Sequence, residues 1–116
     1  MTTEQLEAKL NEAVLSGRAM EAFEELYADD VVMQENDAAP TRGKAANRER
    51  EIAFFSSVEE FHGARVLSSV AANGISVSEW ELDVTFRGAG RLKWTQAAVR
   101  RWKEGRVAAE RFYYAK

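Results

Sequence analysis

The chain has 116 residues, of which 46% are hydrophobic and 30% are charged, as is typical of one domain, residues 1–116, that can bury a core. Its formal charge of −3 gives no basic field for phosphate backbones, so nucleic acid is not an expected partner. With no cysteine and one histidine, we expect neither a metal site nor a cofactor. No apolar run approaches the roughly twenty residues of a membrane span, and no signal sequence is evident, so we expect a cytoplasmic protein without membrane contact.

The first half of the chain has helical periodicity interrupted by one short strand. Apolar residues recur at helical spacing in three segments, which predicts helices over residues 3–16, 19–28 and 43–57. The β-rich run 31–35 predicts a strand, and residues 36–43, which include Pro40, have the composition of a loop. The charged positions Glu4, Glu7 and 48–51 are interpreted as solvated helix faces with local ion pairs.

The second half alternates apolar and polar residues, which predicts four strands. Turn residues separate the runs 58–72, 75–87, 92–103 and 106–114. A three-residue loop 104–106 would pair position 102 with 108, 100 with 110, and 98 with 112. Pairing across the turn 88–90 would set Trp80 opposite Ala98. Both hairpins then agree on which face is concave.

The predicted concave face mixes aromatic and polar side chains, which suits the wall of a pocket better than a dry core. A small apolar or aromatic molecule is therefore the expected ligand. The candidate ligand-binding residues on this face are Trp80, Gln96, Ala98, Arg100, Glu110, Phe112 and Tyr114.

This order of elements, with the segments 27–33 and 101–107, resembles the nuclear transport factor two-like superfamily, and its SnoaL-like branch in particular. The resemblance implies an α+β fold in which three N-terminal helices pack in the concavity of a strongly curved, mixed or antiparallel sheet, forming a cone. Members of the superfamily that the chain resembles act as polyketide cyclases, ketosteroid isomerases, epoxide hydrolases or dehydratases, or only bind a ligand, so the resemblance implies one of these functions. Many such proteins are dimers.

The resemblance gives a mixed answer for catalysis. Glu35 matches the carboxylate base of the ketosteroid isomerases. In contrast, Ala98 and Leu10 replace the isomerases' two oxyanion donors, and Phe112 replaces the aspartate base of the cyclases. Both family constellations are therefore incomplete.

Two residues are candidates for acid–base chemistry. Glu35 is a general base if aromatic carbons desolvate it, or a rim carboxylate that is solvated or paired with Arg42. His62, beside Gly63, could face the cone or the solvent, and is a catalytic candidate only in the first case.

The polar residues of the concave face also have structural interpretations. Arg100 and Glu110 face each other, and a structural ion pair is the favoured interpretation over ligand contact. Gln96 and Tyr114 could contact a ligand or satisfy each other. Core packing is the favoured interpretation for the three tryptophans. Among them, Trp80 is the best candidate for contact with a flat ligand.

Three functions follow from these residues. Small-molecule binding is favoured because the family's oxyanion donors are missing. The alternatives are a cofactor-independent isomerase, cyclase or hydrolase that uses Glu35 as base, and a dimerisation module with an incidental pocket. A homodimer through the convex face is expected because Val99, Ala97, Ala109 and Tyr113 are too apolar for a fully solvated surface.

Overall fold

The computed structural model describes residues 1–115 and consists of three helices and one six-stranded sheet. The helices are α1 (Thr3–Leu15), α2 (Ala19–Leu26) and α3 (Lys44–Ser57). The strands are β1 (Tyr27–Glu35), β2 (Thr41–Arg42), β3 (Val58–Ala72), β4 (Ile75–Phe86), β5 (Gly90–Lys103) and β6 (Arg106–Tyr113).

The sheet is mixed and has the order β2-β1-β6-β5-β4-β3. Strands β1 and β6 are parallel, whereas the other neighbours are antiparallel. Bulges in β1, β3 and the β5–β6 pair bend the sheet, and the helices lie against its concave side. The predicted α+β cone is thereby confirmed. Of the helices in residues 1–115, none has the length and apolar character needed to cross a membrane.

The hydrophobic core lies at one end of the cone and is formed by side chains of α1, α2, β1, β5 and β6. A capping box between Thr2 and Gln5 fixes the start of α1. Leu10, Phe23 and Val31 are among the buried side chains at this end. Helix α3 instead packs mainly on β1 and reaches the opposite end of β4 and β5 through the contact of Phe54 with Phe86. At this end, here called the wide end, Phe54 and Phe55 remain 42% and 41% exposed.

The β5–β6 turn contains two residues rather than the predicted three. Glu104 and Gly105 both have positive φ, 54° and 78°, the conformation of a two-residue turn that matches strand twist. Trp102 therefore pairs with Val107, and the predicted 102–108 pair is wrong. A bulge after Arg101 then restores the predicted pairs, so Arg100 lies opposite Glu110 and Ala98 opposite Phe112.

The predicted β4–β5 register is wrong by two residues. Strand β5 begins at Gly90, so the turn is shorter than expected and Trp80 pairs with Gln96 instead of Ala98. Ala98 lies opposite Ser78. Because side chains alternate with a period of two, this even shift leaves the predicted faces unchanged.

Two boundaries in the first half also differ from the prediction. Helix α2 ends at Leu26 and β1 begins at Tyr27, and the predicted loop contains the short strand β2. The Asn47 side chain links these elements, because its amide donates to the carbonyls of Val31 and Thr41, at 3.3 and 2.9 Å. This buried amide sets the position of α3 along β1.

Candidate functional site

A buried ionic network lies on the concave face between α1 and the sheet. Arg100 Nε donates to Glu110 Oε2 at 2.6 Å, and Arg100 Nη1 contacts Glu7 Oε2 at 3.1 Å and Asn11 Oδ1 at 2.9 Å. Burial acts to lower the pKa of Arg100, but the negative charges of Glu110 and Glu7 and the hydrogen bond to Glu110 outweigh it and raise the pKa. Arg100 and Glu110 thus form the ion pair that the structural interpretation predicts.

Glu7 belongs to this network and not to a solvated helix face, so that interpretation is wrong. Its side chain is 1% exposed, and it accepts hydrogen bonds from Ser78 Oγ and, at 2.8 Å, from Ser76 Oγ. Trp102 Nε1 in turn donates to Ser76 Oγ at 2.9 Å. Serines on β4 therefore satisfy a helix carboxylate that local sequence assigns to solvent.

Only one of the two carboxylate oxygens of Glu110 has hydrogen-bond partners in residues 1–115. Its Oε2 atom accepts from the Tyr27 hydroxyl at 2.6 Å as well as from Arg100, but its buried Oε1 atom has no partner among residues 1–115. Burial, followed by the charge of Glu110, raises the pKa of Tyr27 well above its ordinary value, so Tyr27 stays a hydrogen-bond donor. A buried acceptor without a donor is costly, which makes Oε1 a candidate ligand contact.

Glu51 follows the buried Asn47 by four positions and therefore lies on the same side of α3. Its pKa is raised to about 7, first by burial and then by the negative charges of Glu110 and Glu35, which Arg50 and Arg100 offset only in part. Glu51 is half-buried, so the prediction that the charged run 48–51 is solvated holds only in part at this residue. A carboxyl group that titrates near neutral pH can donate or accept a proton.

Glu35 lies at the rim of the cone, where it has two partners. Tyr114 donates its hydroxyl to Glu35 Oε1 at 2.9 Å, and Arg50 Nη2 donates to Oε2 at 2.9 Å. The Glu35 side chain is 45% exposed, so the expected burial against aromatic carbons is wrong. The cation that pairs with Glu35 is Arg50 of α3, and not Arg42 of β2.

His62 is on the other side of the sheet. The bulge between Phe61 and Gly63 turns it outward, where its Nε2 atom lies 2.7 Å from Thr85 Oγ1 and 3.5 Å from Glu60 Oε2. Thr85 belongs to the convex face. The two predicted catalytic residues, Glu35 and His62, are therefore not brought together.

Aromatic side chains line the wide end of the cone. Phe86 packs against Trp94 and Phe54, with ring centroids 5.9 Å apart in both pairs. Phe54 is 42% exposed, so this aromatic cluster is not closed over. Trp94 Nε1 donates to Gln96 Oε1 at 3.0 Å, whereas the Tyr114 hydroxyl donates to Glu35. Gln96 and Tyr114 therefore do not need to satisfy each other.

The remaining candidates lie between the cluster and the ionic network. Trp80 and Ala98 are buried, at 3% and 0% exposure, and Phe112 is half-buried beside the core. Trp80 is therefore a wall residue beneath the surface rather than an open stacking platform.

Sequence reasoning missed Glu7, Tyr27 and Glu51. The available signal was helical spacing, since Glu7 precedes Leu10 by three positions and Glu51 follows the buried Asn47 by four. A charged residue at such a position faces the sheet, and the counter-groups that it meets come from distant strands.

A groove of about 560 Å³ lies between α1 and β3, next to the ionic network. Its lining includes Leu15 and also Glu7 and Asn11, whose polar groups already have partners in the network. Within residues 1–115, no group of three or more histidine, aspartate or glutamate side chains is arranged to hold a metal ion.

Solved structures with this architecture are numerous. A protein from Mesorhizobium loti that is described as a proposed SnoaL-like polyketide cyclase, with carbohydrate phosphatase given in brackets, is 25% identical, with coverage of 98% of this chain and 100% of that one and a TM-score of 0.86. A protein of unknown function with a cystatin-like fold from Xanthomonas campestris is 16% identical over 100% of this chain and 92% of that one, with a TM-score of 0.86.

A third similar structure is a hypothetical protein with a ketosteroid isomerase-like fold from Catenulispora acidiphila, in complex with trimethylamine. It is 16% identical, and the match covers 98% of this chain and 88% of that one with a TM-score of 0.78. No curated protein matches the sequence. The SnoaL-like domain family matches residues 1–114, and the chain therefore belongs to the SnoaL-like domain family.

Proposed function

We propose that this protein binds a small, largely apolar organic molecule on the concave side of the sheet, between α3 and strands β4 to β6. The observation that carries this proposal is the aromatic cluster at the wide end, in which Phe54 remains 42% exposed while Phe86 and Trp94 pack behind it. Aromatic walls with a few polar groups are typical of small-molecule sites. The neighbour from Catenulispora acidiphila, solved in complex with trimethylamine, supports the same kind of use of this fold.

Benzyl alcohol is a suitable first probe, because it joins an aromatic ring to one neutral polar group. Titration into the protein, followed by backbone amide chemical shifts, should move resonances of α3, β4 and β5 in a saturable way. Trp94→Ala should weaken the affinity by about three- to tenfold, since it removes one aromatic contact worth about 0.5–1.5 kcal/mol.

Leu15→Ala is the matched control, because Leu15 lines the groove between α1 and β3 instead. The affinity of Leu15→Ala for benzyl alcohol should equal that of the parent protein. Shifts confined to α1 and β3, together with a loss of binding in Leu15→Ala, would place the ligand in the groove and contradict the proposal.

A second candidate function is cofactor-independent proton transfer, as in an isomerase, cyclase or hydrolase, with Glu35 as general base. The specific observation in its favour is the 2.9 Å hydrogen bond from the Tyr114 hydroxyl to Glu35, which joins a carboxylate to a donor that can steady developing negative charge. His62 has no part in this proposal, since it contacts Thr85 on the convex face.

The test is exchange of the α-hydrogens of cyclopentanone in deuterium oxide, followed by proton NMR. Catalysed exchange should be lost in Glu35→Gln, which keeps the shape and removes the base. Glu49→Gln, on the exposed side of α3, should keep the parental rate. Exchange no faster than in buffer would dismiss this candidate.

We also propose that two copies associate through the convex face. Val77 and Val99 lie opposite each other on this face, and Tyr113 is 44% exposed. Glu79 and Arg101 are the next residues on this face along β4 and β5, which gives a pattern of apolar centre and polar rim that favours an interface.

A further inference from the structure

We propose that the free edge of β3, next to α1, binds an extended basic segment of another protein, which adds to the sheet as a further strand. The segment pairs antiparallel with residues 68–72 and directs its lysine or arginine side chains towards α1. This site is separate from the proposed small-molecule site, and neither proposal depends on the other.

The last part of β3 is a regular and exposed strand edge. Within residues 1–115, β4 is the one strand that pairs with β3. Three bulges lie between Val58 and Ser68, and bulges hinder the addition of a strand. Residues 68–72 have no such irregularity, are mostly exposed and contain neither charge nor proline. An edge of this kind is the surface to which extended peptides add.

Ser69 and Ala71 direct their backbone groups towards this free edge. The two-residue turn 73–74, with φ of 55° and 79°, is closed by the pair of Ala72 with Ile75, which is therefore hydrogen-bonded. Hydrogen-bonded and non-bonded pairs alternate along antiparallel strands. The N–H and C=O groups of Ala71 and Ser69 thus point away from β4, and no backbone group of another element in residues 1–115 bonds to them.

Helix α1 runs along the same edge. At its start, Thr3 Oγ1 accepts a hydrogen bond from the Gly74 N–H at 3.0 Å. Two turns later, Asn11 Nδ2 donates at 2.8 Å to Ser78 Oγ, which is level with the first residue of 69–71. The groove of about 560 Å³ is lined by 69–71 and by one face of α1. A strand added to the edge therefore enters this groove.

The charged side chains that line the groove are all acidic. They are Glu4, Glu7 and Glu12, and the lining includes no lysine or arginine. Glu7 is paired within the ionic network, whereas Glu4 and Glu12 are exposed and form no ion pair with residues 1–115. Lys9, the one basic residue of α1, pairs with Glu25 of α2 at 2.9 Å. The segment that complements this groove is therefore positively charged.

The two faces of β3 specify how the side chains of the segment alternate. Ser69 and Ala71 lie opposite concave residues of β4, whereas Val70 lies opposite Val77 of the convex face and is 67% exposed. Side chains that are directly opposite each other in a sheet share one face. Basic residues opposite Ser69 and Ala71 therefore point towards α1, and an aliphatic residue between them covers Val70.

The probe is the peptide acetyl-Thr-Lys-Val-Lys-Thr-amide, which carries this alternation. It is titrated at low salt into the isotope-labelled full chain, and backbone amide shifts and hydrogen exchange are followed. Shifts in α1 and β3 should saturate. Exchange of the Ser69 and Ala71 amides should slow by at least about tenfold at saturation, while that of Val70, which is already bonded to β4, stays unchanged.

Methylation of the peptide nitrogens tests the strand pairing. In antiparallel pairing the lysine N–H groups point to β3, and the valine N–H points to solvent. N-methylation of both lysines should therefore weaken binding at least about fivefold, since it removes two hydrogen bonds. N-methylation of the valine is the matched control and should leave the affinity unchanged. Equal affinity of all three peptides would rule out strand addition.

Charge exchange tests the location of the site. The parent should bind acetyl-Thr-Glu-Val-Glu-Thr-amide at least about fivefold more weakly than the lysine peptide. Glu4→Lys combined with Glu12→Lys should reverse this preference. The control combines Glu21→Lys with Glu49→Lys, which changes the net charge equally at exposed positions of α2 and α3 and should keep the preference of the parent. The same preference in both double variants would contradict the site.

Other occupants of the edge give different results. If a second copy of the chain pairs with β3, the amides of Ser69 and Ala71 are protected without peptide, to a degree that rises with protein concentration, and the peptide proposal is wrong. If the peptide shifts α1 and β3 without slowing these two amides, the groove binds side chains alone and strand addition is wrong. The small-molecule site is tested separately, through shifts in α3, β4 and β5.

Discussion

Arg100 pairs with two buried carboxylates, those of Glu7 and Glu110, and its replacement by methionine provides a direct test of the ionic network. Methionine keeps much of the volume of the side chain but removes the guanidinium, which leaves Glu7 and Glu110 buried without a cation. Removing one partner of a buried ion pair costs about 3–5 kcal/mol, because an uncompensated charge remains. A domain of this size is stable by only about 5–15 kcal/mol.

The loss can be followed by thermal unfolding. An unfolding entropy of about 2.1 cal/mol/K per residue gives about 240 cal/mol/K for 116 residues. A loss of 3–5 kcal/mol should therefore lower Tm by about 12–20 °C. Circular dichroism melts at pH 7 measure Tm, and urea titrations at the same pH measure the free energy of unfolding independently.

The control is a variant that removes all three charges, with Arg100→Met, Glu7→Gln and Glu110→Gln combined. It should recover at least half of the lost stability, because no unpaired charge remains and the amides can still accept from Tyr27 and the serines. If Arg100→Met alone lowers the free energy of unfolding by less than about 1 kcal/mol, or if the combined variant is less stable than Arg100→Met, charge pairing with Arg100 does not stabilise the fold.

Three further predictions concern α3 and the convex face. Folding raises the pKa of Glu51 to about 7, so ionisation of Glu51 destabilises the fold as the pH rises from about 4.5 to 7. Glu51→Gln should therefore increase the free energy of unfolding by about 1–2 kcal/mol at pH 8 and leave it unchanged at pH 4, as measured by urea unfolding. Asn47→Ala removes the buried amide bonds to β1 and β2 and should cost about 1–3 kcal/mol, with faster amide hydrogen exchange in α3 than in α1. Val99→Lys places a charge in the centre of the proposed dimer face and should shift sedimentation from dimer to monomer, whereas Arg106→Glu at the start of β6 should not; a monomeric parent at micromolar concentration would refute the dimer.

The sequence alone was sufficient to predict the faces of the sheet. Alternation along β4 and β5 assigned Trp80, Ala98 and Arg100 to the concave side, and this assignment survived a two-residue error in register, since an even shift does not exchange faces. The Arg100–Glu110 pair was also predicted correctly, because the bulge after Arg101 compensates for a turn that is one residue shorter than predicted. The family resemblance rested on the same local order of elements.

The site itself depended on tertiary structure. Whether Glu7 and Glu51 meet solvent or the sheet is decided by residues that are far away in sequence, such as Ser76 for Glu7 and Glu110 for Glu51. Local pattern shows that a helix carries a charge, but not which counter-groups a distant strand brings to it. Glu35 was misjudged for the same reason, because its partner Arg50 is fixed only when Asn47 docks α3 on β1. Burial and charge pairing are properties of contacts between elements, and these contacts form only in the folded chain.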